Sequence, residues 1–295
     1  MNEIRTAILR TLVYSDIFDY PLAKEEIWKF LVSEKPVESD KVKEELKNFP
    51  GAIVNHPEGG DFYCLSGREE IIKTRIKRFK ESRIKINRAK NITRYLSLIP
   101  TVLFVGISGG LAMHNADEKD DIDLFVITSK GSLWVTRLLL VFLLILMGQY
   151  RGRGNPPAGG ESQKICLNML IDESFLKFPK ERQDLYTAHE IIQLKPLFDR
   201  NNTYVKFVNA NKWISKFLPN GIEIKKLSNE EIRKNNHNYS IIQLLNYSTK
   251  RLQLWYMKSH QTKETIEDHL LAFHPFDYKE TVFKEYNKRL KRYGI

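Results

Sequence analysis

Two aspartates, Asp121 and Asp123, stand two residues apart in the segment VGISGGLAMHNADEKDDIDLFVIT, residues 105 to 128. On an extended strand, residues i and i+2 face the same side, so both carboxylates reach one point while Ile122 and Leu124 face a core. Such a pair suits Mg2+ (or Mn2+), hard cations that take carboxylate oxygens and keep substrate phosphates in their shell. Two ions held this way can activate an attacking oxygen and neutralise a leaving pyrophosphate. Upstream lie Ser108, Gly109 and Gly110. A phosphate chain must approach the backbone closely, and a Cβ there would block it. Backbone N–H groups at the start of a following helix can then hold the anion, and the Ser108 hydroxyl adds a donor.

The elements that must position these groups are readable around them. Thr101–Ile107 is a compact apolar run, fit for a buried strand that ends at Gly109-Gly110. Leu111–Asn115 suits a short helix, and Asp121–Thr128 a second strand. Leu133–Tyr150 reads as a helix buried in the core. Its unbroken apolar part, Leu138–Met147, falls short of the roughly 20 residues that a membrane span requires. The Gly- and Pro-rich stretch Arg151–Lys164 must be a loop, and Ile165–Ile171 a third strand.

Taken together, these residues resemble the DNA polymerase β-like nucleotidyltransferase superfamily. Its signature is an apolar residue, Gly, Gly or Ser, a short spacer, then Asp-apolar-Asp/Glu-apolar. This chain has Gly109-Gly110, ten residues, then Asp121-Ile122-Asp123-Leu124. The match covers roughly residues 101 to 172. The resemblance implies a small mixed sheet with helices and transfer of a nucleoside monophosphate from an NTP, expected to be ATP, to an acceptor hydroxyl. Asp121 and Asp123 would be the metal ligands and catalytic acids, and Ser108, Gly109 and Gly110 the nucleotide-binding residues. Members usually carry a third carboxylate on a later strand. In ICLNMLID, residues 165 to 172, strict alternation puts Cys166, Asn168, Leu170 and Asp172 on one face. Asn168 stands mid-strand where the acid belongs, and an amide cannot act as a base. Asp172 is the alternative, about 13 Å further along at the usual rise per residue.

Further along, Tyr186, Glu190 and Gln193 share one helical face with His189 beside it, an arrangement suited to an acceptor or a nucleobase or simply to packing. RGRGNPPAGG lacks Gly-Lys-Ser/Thr and is not a P-loop. The seven histidines form no HxxxH or HxH pair.

The flanking regions divide by pattern. In residues 1–66, Ile4, Ile8 and Leu12 mark one helix, Pro21 opens a second, and Ser39 caps a third carrying Val42, Leu46 and Phe49. Two β-like runs, Ala52–Asn55 and Phe62–Leu65, follow around Pro57, Glu58, Gly59 and Gly60, a hairpin. Three helices and a hairpin resemble a winged helix-turn-helix. Over residues 38–47 the third helix has three cations against four anions, a poor face for DNA phosphates, which favours a structural or dimerising role. Residues 67–98 hold a basic linker helix. Its stretch 68–96 has eleven Lys or Arg and three Glu, either a solvated face or a basic wall beside the site. The core is assigned to 99–178 and a mainly helical region to 179–295, with helices at Arg182–Leu194, Val205–Phe217, Asn229–Met257, Thr262–Leu271 and Tyr278–Arg292.

The chain has 295 residues, 42% hydrophobic, with a net charge of +11. That composition excludes wholesale disorder, and the charge suggests an anionic partner: nucleotide, nucleic acid or a membrane face. Two distant cysteines, Cys64 and Cys166, and an N-terminus without a signal-peptide pattern fit a cytoplasmic protein. The sequence thus implies a mixed α+β nucleotidyltransferase with no membrane span. Its acceptor is open, with nucleic acid and protein among the candidates. Because Asn168 replaces the third acid, a non-catalytic nucleotide-sensing or DNA-binding regulator, or an antitoxin-like partner protein, is the rival reading.

Overall fold

The computed structural model describes residues 3–49, 52–56, 60–151, 163–222, 239–257, 265–273 and 277–295. The N-terminal part comprises α1 (Glu3–Asp16), β1 (Leu22–Ala23), α2 (Lys24–Lys29), α3 (Ser39–Lys47), β2 (Ala52–His56) and β3 (Gly60–Cys64). The three expected helices and the hairpin are present. Pro21 does not open α2 directly, because Leu22 and Ala23 first pair antiparallel with Tyr63 and Phe62 as a third strand. Ser39 is the first helical residue and Glu38 occupies the cap. The loop residues 57–59 lie outside the described residues.

After α4 (Ile71–Leu96) come β4 (Val102–Ile107), α5 (Gly109–Ala112), β5 (Ile122–Thr128), α6 (Leu133–Leu146) and β6 (Ile165–Asp172). The chain continues through α7 (Leu185–Gln193), β7 (Lys195–Asp199), α8 (Thr203–Ala210), α9 (Tyr239–Met257), β8 (Thr265–Ile266), β9 (Leu270–Ala272) and α10 (Asp277–Arg292). The fold is therefore mixed α and β. Its main sheet has strand order β7-β4-β5-β6-β9-β8, with β5 and β6 parallel and every other pair antiparallel.

Side-chain alternation along these strands divides the core into two layers. Phe104, Phe125, Ile127, Ile171, Leu270 and Ala272 face the first layer, with the N-terminal helices, α7, α8 and α10. Val105, Ile107, Leu124, Val126, Leu170 and Leu271 face the second, with α4 and α6. The N-terminal part is not a separate unit with its own core. Ile8, Leu12, Ile27, Leu31 and Val42 belong to the same cluster as Ala188, Ile191 and Tyr286.

Three expectations are corrected here. Thr262–Leu271 is not a helix: 262–264 lie outside the described residues, and the remainder forms β8 and β9, which extend the sheet beyond β6. The segment Lys195–Asp199 is an edge strand on β4, so region 179–295 is not only helical. And α6 is only half buried. Trp134, Leu140 and Leu144 pack inward, while Leu139, Phe142, Ile145 and Leu146 are exposed. Among the described residues, no helix is long and apolar enough to cross a membrane.

Basic helix α4 turns many of its cations inward. Arg75 pairs with Glu26 at 2.7 Å, and Arg78 pairs with Asp117 at 2.9 Å while donating to Asn115 Oδ1 at 3.2 Å. Buried Lys85 donates to the carbonyls of Asp117 and Asp120, at 2.6 Å for the latter, and burial lowers its pKa. These contacts tie the acidic turn 117–120 to α4 and leave fewer cations for a basic wall than the raw count suggested.

Candidate functional site

The Ser108–Gly110 turn is built onto the start of β5. Ser108 N–H donates to the Asp123 carbonyl at 3.0 Å, and buried Asn168 donates from Nδ2 to Ser108 Oγ at 3.2 Å. Gly109 adopts φ +64°, the left-handed region that L side chains rarely enter. A Cβ placed on Gly109 would point at Asp123 Oδ2 from 3.5 Å, so the missing side chain opens the space before that carboxylate. Gly110 accepts from Asn115 N–H at 2.8 Å and closes the loop behind it.

Asp121 immediately precedes β5. Its Oδ1 accepts from Lys164 N–H at 3.2 Å and its Oδ2 pairs with Arg151. Burial raises the Asp121 pKa, opposed mainly by Arg151 and reinforced by the charge of Asp123. Cys166 lies opposite Asp123 in the β5–β6 register, and burial, then the Asp123 charge, drives its thiol pKa upward. The structure therefore brings together Ser108, Gly109, Gly110, Asp121, Asp123 and Asn168.

It does not bring Asp172. The β5–β6 register shifts between Asp123 and Phe125: Asp123 pairs with Cys166 but Phe125 with Met169, one extra residue on β6. This bulge reverses the alternation. Leu167 and Leu170 share the second layer, while Met169 and Ile171 face the first. Asp172 lies six residues beyond Cys166, about 20 Å along the strand at the usual rise. Its carboxylate is occupied there, accepting from Ser174 N–H at 2.8 Å and Gly131 N–H at 3.2 Å and contacting His269 Nδ1 at 2.8 Å. Asp172 is a structural cap, and the expectation that it could serve the site is corrected.

Two cavities flank the Ser108–Gly110 turn. One, of about 580 Å³ with its open mouth, is walled by Tyr14, Phe18, Tyr20 and Phe30 and reaches Gly109, Gly110, His189 and Glu190. The other, of about 840 Å³, is lined by Ser108, Asn168, Tyr186, Glu190, Arg182 and Lys279. Glu190 is common to both. Its charge is a main contributor, after burial, to the raised pKa values of Tyr14, Tyr186 and Tyr278. His189 stacks on Tyr14 with ring centroids 4.1 Å apart, and burial drops its pKa to about 3. Its Nδ1 lies 3.2 Å from Gln193 Nε2, while its buried Nε2 has no partner among the described residues.

The sequence did not single out Arg151, Arg182 or Lys279. Arg151, at the mouth of a glycine-rich loop beside an acidic strand, had a local signal. Arg182, in the turn before α7, and Lys279, on α10, had none, since only tertiary packing carries them to the second cavity. As for a metal, no group of three or more His, Cys, Asp or Glu suited to one occurs among the described residues. Two carboxylates and an amide are nonetheless a fitting donor set for Mg2+, which usually takes one or two protein carboxylates and completes its shell with water and substrate phosphates. The space in front of Asp123 that a Cβ would fill is consistent with that. No family model, no curated protein and no solved structure matches the chain.

Proposed function

We propose that the chain is a nucleotidyltransferase of the polymerase β-like type, with a winged-helix-like N-terminal part, that transfers a nucleoside monophosphate from an NTP to an acceptor hydroxyl. The observation that carries this reading is the left-handed Gly109, held by Ser108 against β5 and open toward the Asp123 carboxylate. Asp121 and Asp123 would hold Mg2+ or Mn2+, which when bound would neutralise phosphate charge and lower the barrier to departure of pyrophosphate. The backbone N–H groups of Gly109 and Gly110 and the Ser108 hydroxyl would bind the triphosphate.

In this mechanism the acceptor oxygen attacks the α-phosphorus. The bond from that phosphorus to the oxygen bridging to the β-phosphate breaks, and pyrophosphate leaves with the electron pair. The hydroxyl proton needs a base, and the Asn168 amide cannot accept it. Glu190 lines both cavities beside the turn, so its carboxylate is assigned that role in the place of a strand-borne third acid. Arg182, paired with Glu267 at 2.7 Å, and Lys279, paired with Asp184, line the same cavity wall.

The test is titration calorimetry of ATP with Mg2+, followed by an assay of pyrophosphate release over a panel of protein, nucleic-acid and small hydroxylated acceptors. Wild type should bind ATP only with the metal, and Asp121→Ala with Asp123→Ala should abolish binding and release while circular dichroism stays unchanged. Undiminished metal-dependent binding in the double variant would refute the assignment. A second reading, a nucleotide-sensing regulator, is favoured by Asn168 alone. Tight binding without release over the whole panel, with Glu190→Gln indistinguishable from wild type, would select it.

A further inference from the structure

The proposed reaction leaves its acceptor open, and the second cavity beside Ser108 narrows the choice. Much of its wall is apolar. Phe125 on β5, Phe207 on α8 and Phe178 in the segment after β6 are buried and form one ring cluster. The centroids of Phe125 and Phe207 lie 5.3 Å apart, and those of Phe178 and Phe207 5.9 Å. Met169 on β6 and Ile191 on α7 continue the wall. All five belong to the first core layer, so packing between strands and helices preforms this surface. The volume of about 840 Å³ falls within the range of small-molecule sites, roughly 300–1,000 Å³, which join apolar walls to a few placed polar groups.

The polar groups of the lining indicate what else the ligand carries. Ser108 and Asn168 belong to the turn assigned to the triphosphate, and Glu190 brings the carboxylate assigned as base. The two cations among the described lining residues are already committed, Arg182 to Glu267 and Lys279 to Asp184. A phosphorylated acceptor would meet the Glu190 carboxylate and would have to break these pairs, whereas a neutral hydroxyl needs only a hydrogen-bond partner. A polynucleotide needs a groove of uncommitted cations along its backbone, which this lining does not supply. A neutral molecule with an aromatic body and a hydroxyl satisfies both parts of the wall. Its ring packs on the phenylalanine cluster, and its hydroxyl meets Ser108 and Glu190.

We propose that this cavity is the acceptor pocket and that it takes a small neutral alcohol or phenol with an aromatic body. The acceptor role rests on the transfer proposed above, whereas the ligand chemistry of the cavity does not. In the reaction the acceptor O–H gives its proton to Glu190 and its oxygen bonds to the α-phosphorus. Pyrophosphate leaves with the electron pair of the broken bond, and the product is a phosphodiester joining nucleoside and acceptor.

The test is titration calorimetry of the full chain, without metal or nucleotide, against 4-ethylphenol and 3-phenylpropan-1-ol, with 4-ethylphenyl phosphate and oligothymidylate as competitors. The neutral probes should bind, the phosphorylated one about tenfold or more weaker, and the oligonucleotide should not displace them. Thr187→Trp and Met169→Trp, at half-buried positions of the lining, should each fill the cavity and weaken probe binding about tenfold or more, with unchanged circular dichroism. Asp121→Ala with Asp123→Ala should leave the affinity for the probe unchanged, so the cavity ligand and the transfer reaction are read separately. With ATP and Mg2+, the probes should then stimulate pyrophosphate release in the wild-type protein. Failure of both neutral probes to bind would overturn the proposal. So would binding that both tryptophan substitutions leave intact, displacement by the oligonucleotide, or equal affinity for the phosphorylated probe. Probe binding without stimulated release would overturn the acceptor role.

Discussion

His189 offers a sharp test of the packing around the proposed site, because a neutral imidazole is buried where, among the described residues, only one of its nitrogens has a partner. Burial lowers its pKa from 6.5 to about 3. The folded protein therefore excludes a proton that the unfolded chain accepts below the ordinary histidine value. The stability that neutral His189 permits is full above that value and is lost as the pH falls from it toward the folded one. The slope is about 1.4 kcal/mol per pH unit, so lowering the pH from neutral to about 5 costs about 2 kcal/mol from this residue alone. His114 adds a similar trend, its pKa lowered to about 4 mainly by burial and then by Lys195, but it is only half buried and the comparison below cancels it. The perturbation is His189→Phe, which keeps a ring against Tyr14 and Phe30 and removes the titration. Urea unfolding of both proteins at the two pH values gives each protein's own loss, so any difference in baseline stability drops out. Wild type should lose about 2 kcal/mol more than the variant, by the same slope. Equal losses in the two proteins would refute the account, and with it the burial of a neutral His189 against Tyr14.

The site itself supports two further predictions. Gly109→Ala forces a Cβ into the left-handed region and should lower unfolding stability by about 1–2 kcal/mol. Its Cβ would meet Asp123 Oδ2 only at ordinary contact distance, so backbone strain dominates, and urea unfolding showing no loss would exclude the left-handed turn. Asp121→Asn tests burial of the carboxylate. Because its folded pKa is raised, the group favours the fold below its unfolded pKa, and that contribution is lost as the pH rises through the folded value. The neutral amide should therefore leave the melting temperature at pH 7 equal to or above that of wild type while metal-dependent NTP binding disappears. A clear fall in melting temperature would show that the ion pair with Arg151 outweighs desolvation.

The elements with unbroken apolar runs were legible in the sequence. The strands β4, β5 and β6 stand within a residue or so of where composition placed them, because each is buried on both faces and has no polar alternation to confuse it. The errors have specific causes. Leu270 and Leu271, with Ile266 before them, have a helical spacing, but the open edge of β6 recruits the segment as β8 and β9, a tertiary effect that local pattern does not carry. Lys195–Asp199 contains Pro196, a residue disfavoured within sheets, yet β7 is an edge strand, where proline is tolerated. The α6 sequence is apolar all round, so it signalled burial on every side. Its apolar outer face became visible only when the sheet was found to cover the other.

Asp172 shows how far one residue of register can move a functional assignment. Alternation alone put it on the face of Cys166 and Asn168, and the logic was sound for a regular strand. The bulge opposite Leu124 adds one residue to β6, and every side chain beyond it changes face. The acid that strict alternation offered to the site becomes the cap of the turn at Ser174, on the other end of the strand. In the proposed reaction a carboxylate would come from another element, and α7, packed on the first layer, brings Glu190 to both cavities. The helical spacing of Tyr186, Glu190 and Gln193 was visible from the start, but nothing local said that this face meets Ser108 on one side and Gly109 on the other. If Glu190→Gln abolishes pyrophosphate release yet leaves metal-dependent ATP binding at the wild-type level, the base of this fold has moved from strand to helix. If that variant turns over normally, the proton leaves by another route and Glu190 only shapes the cavity.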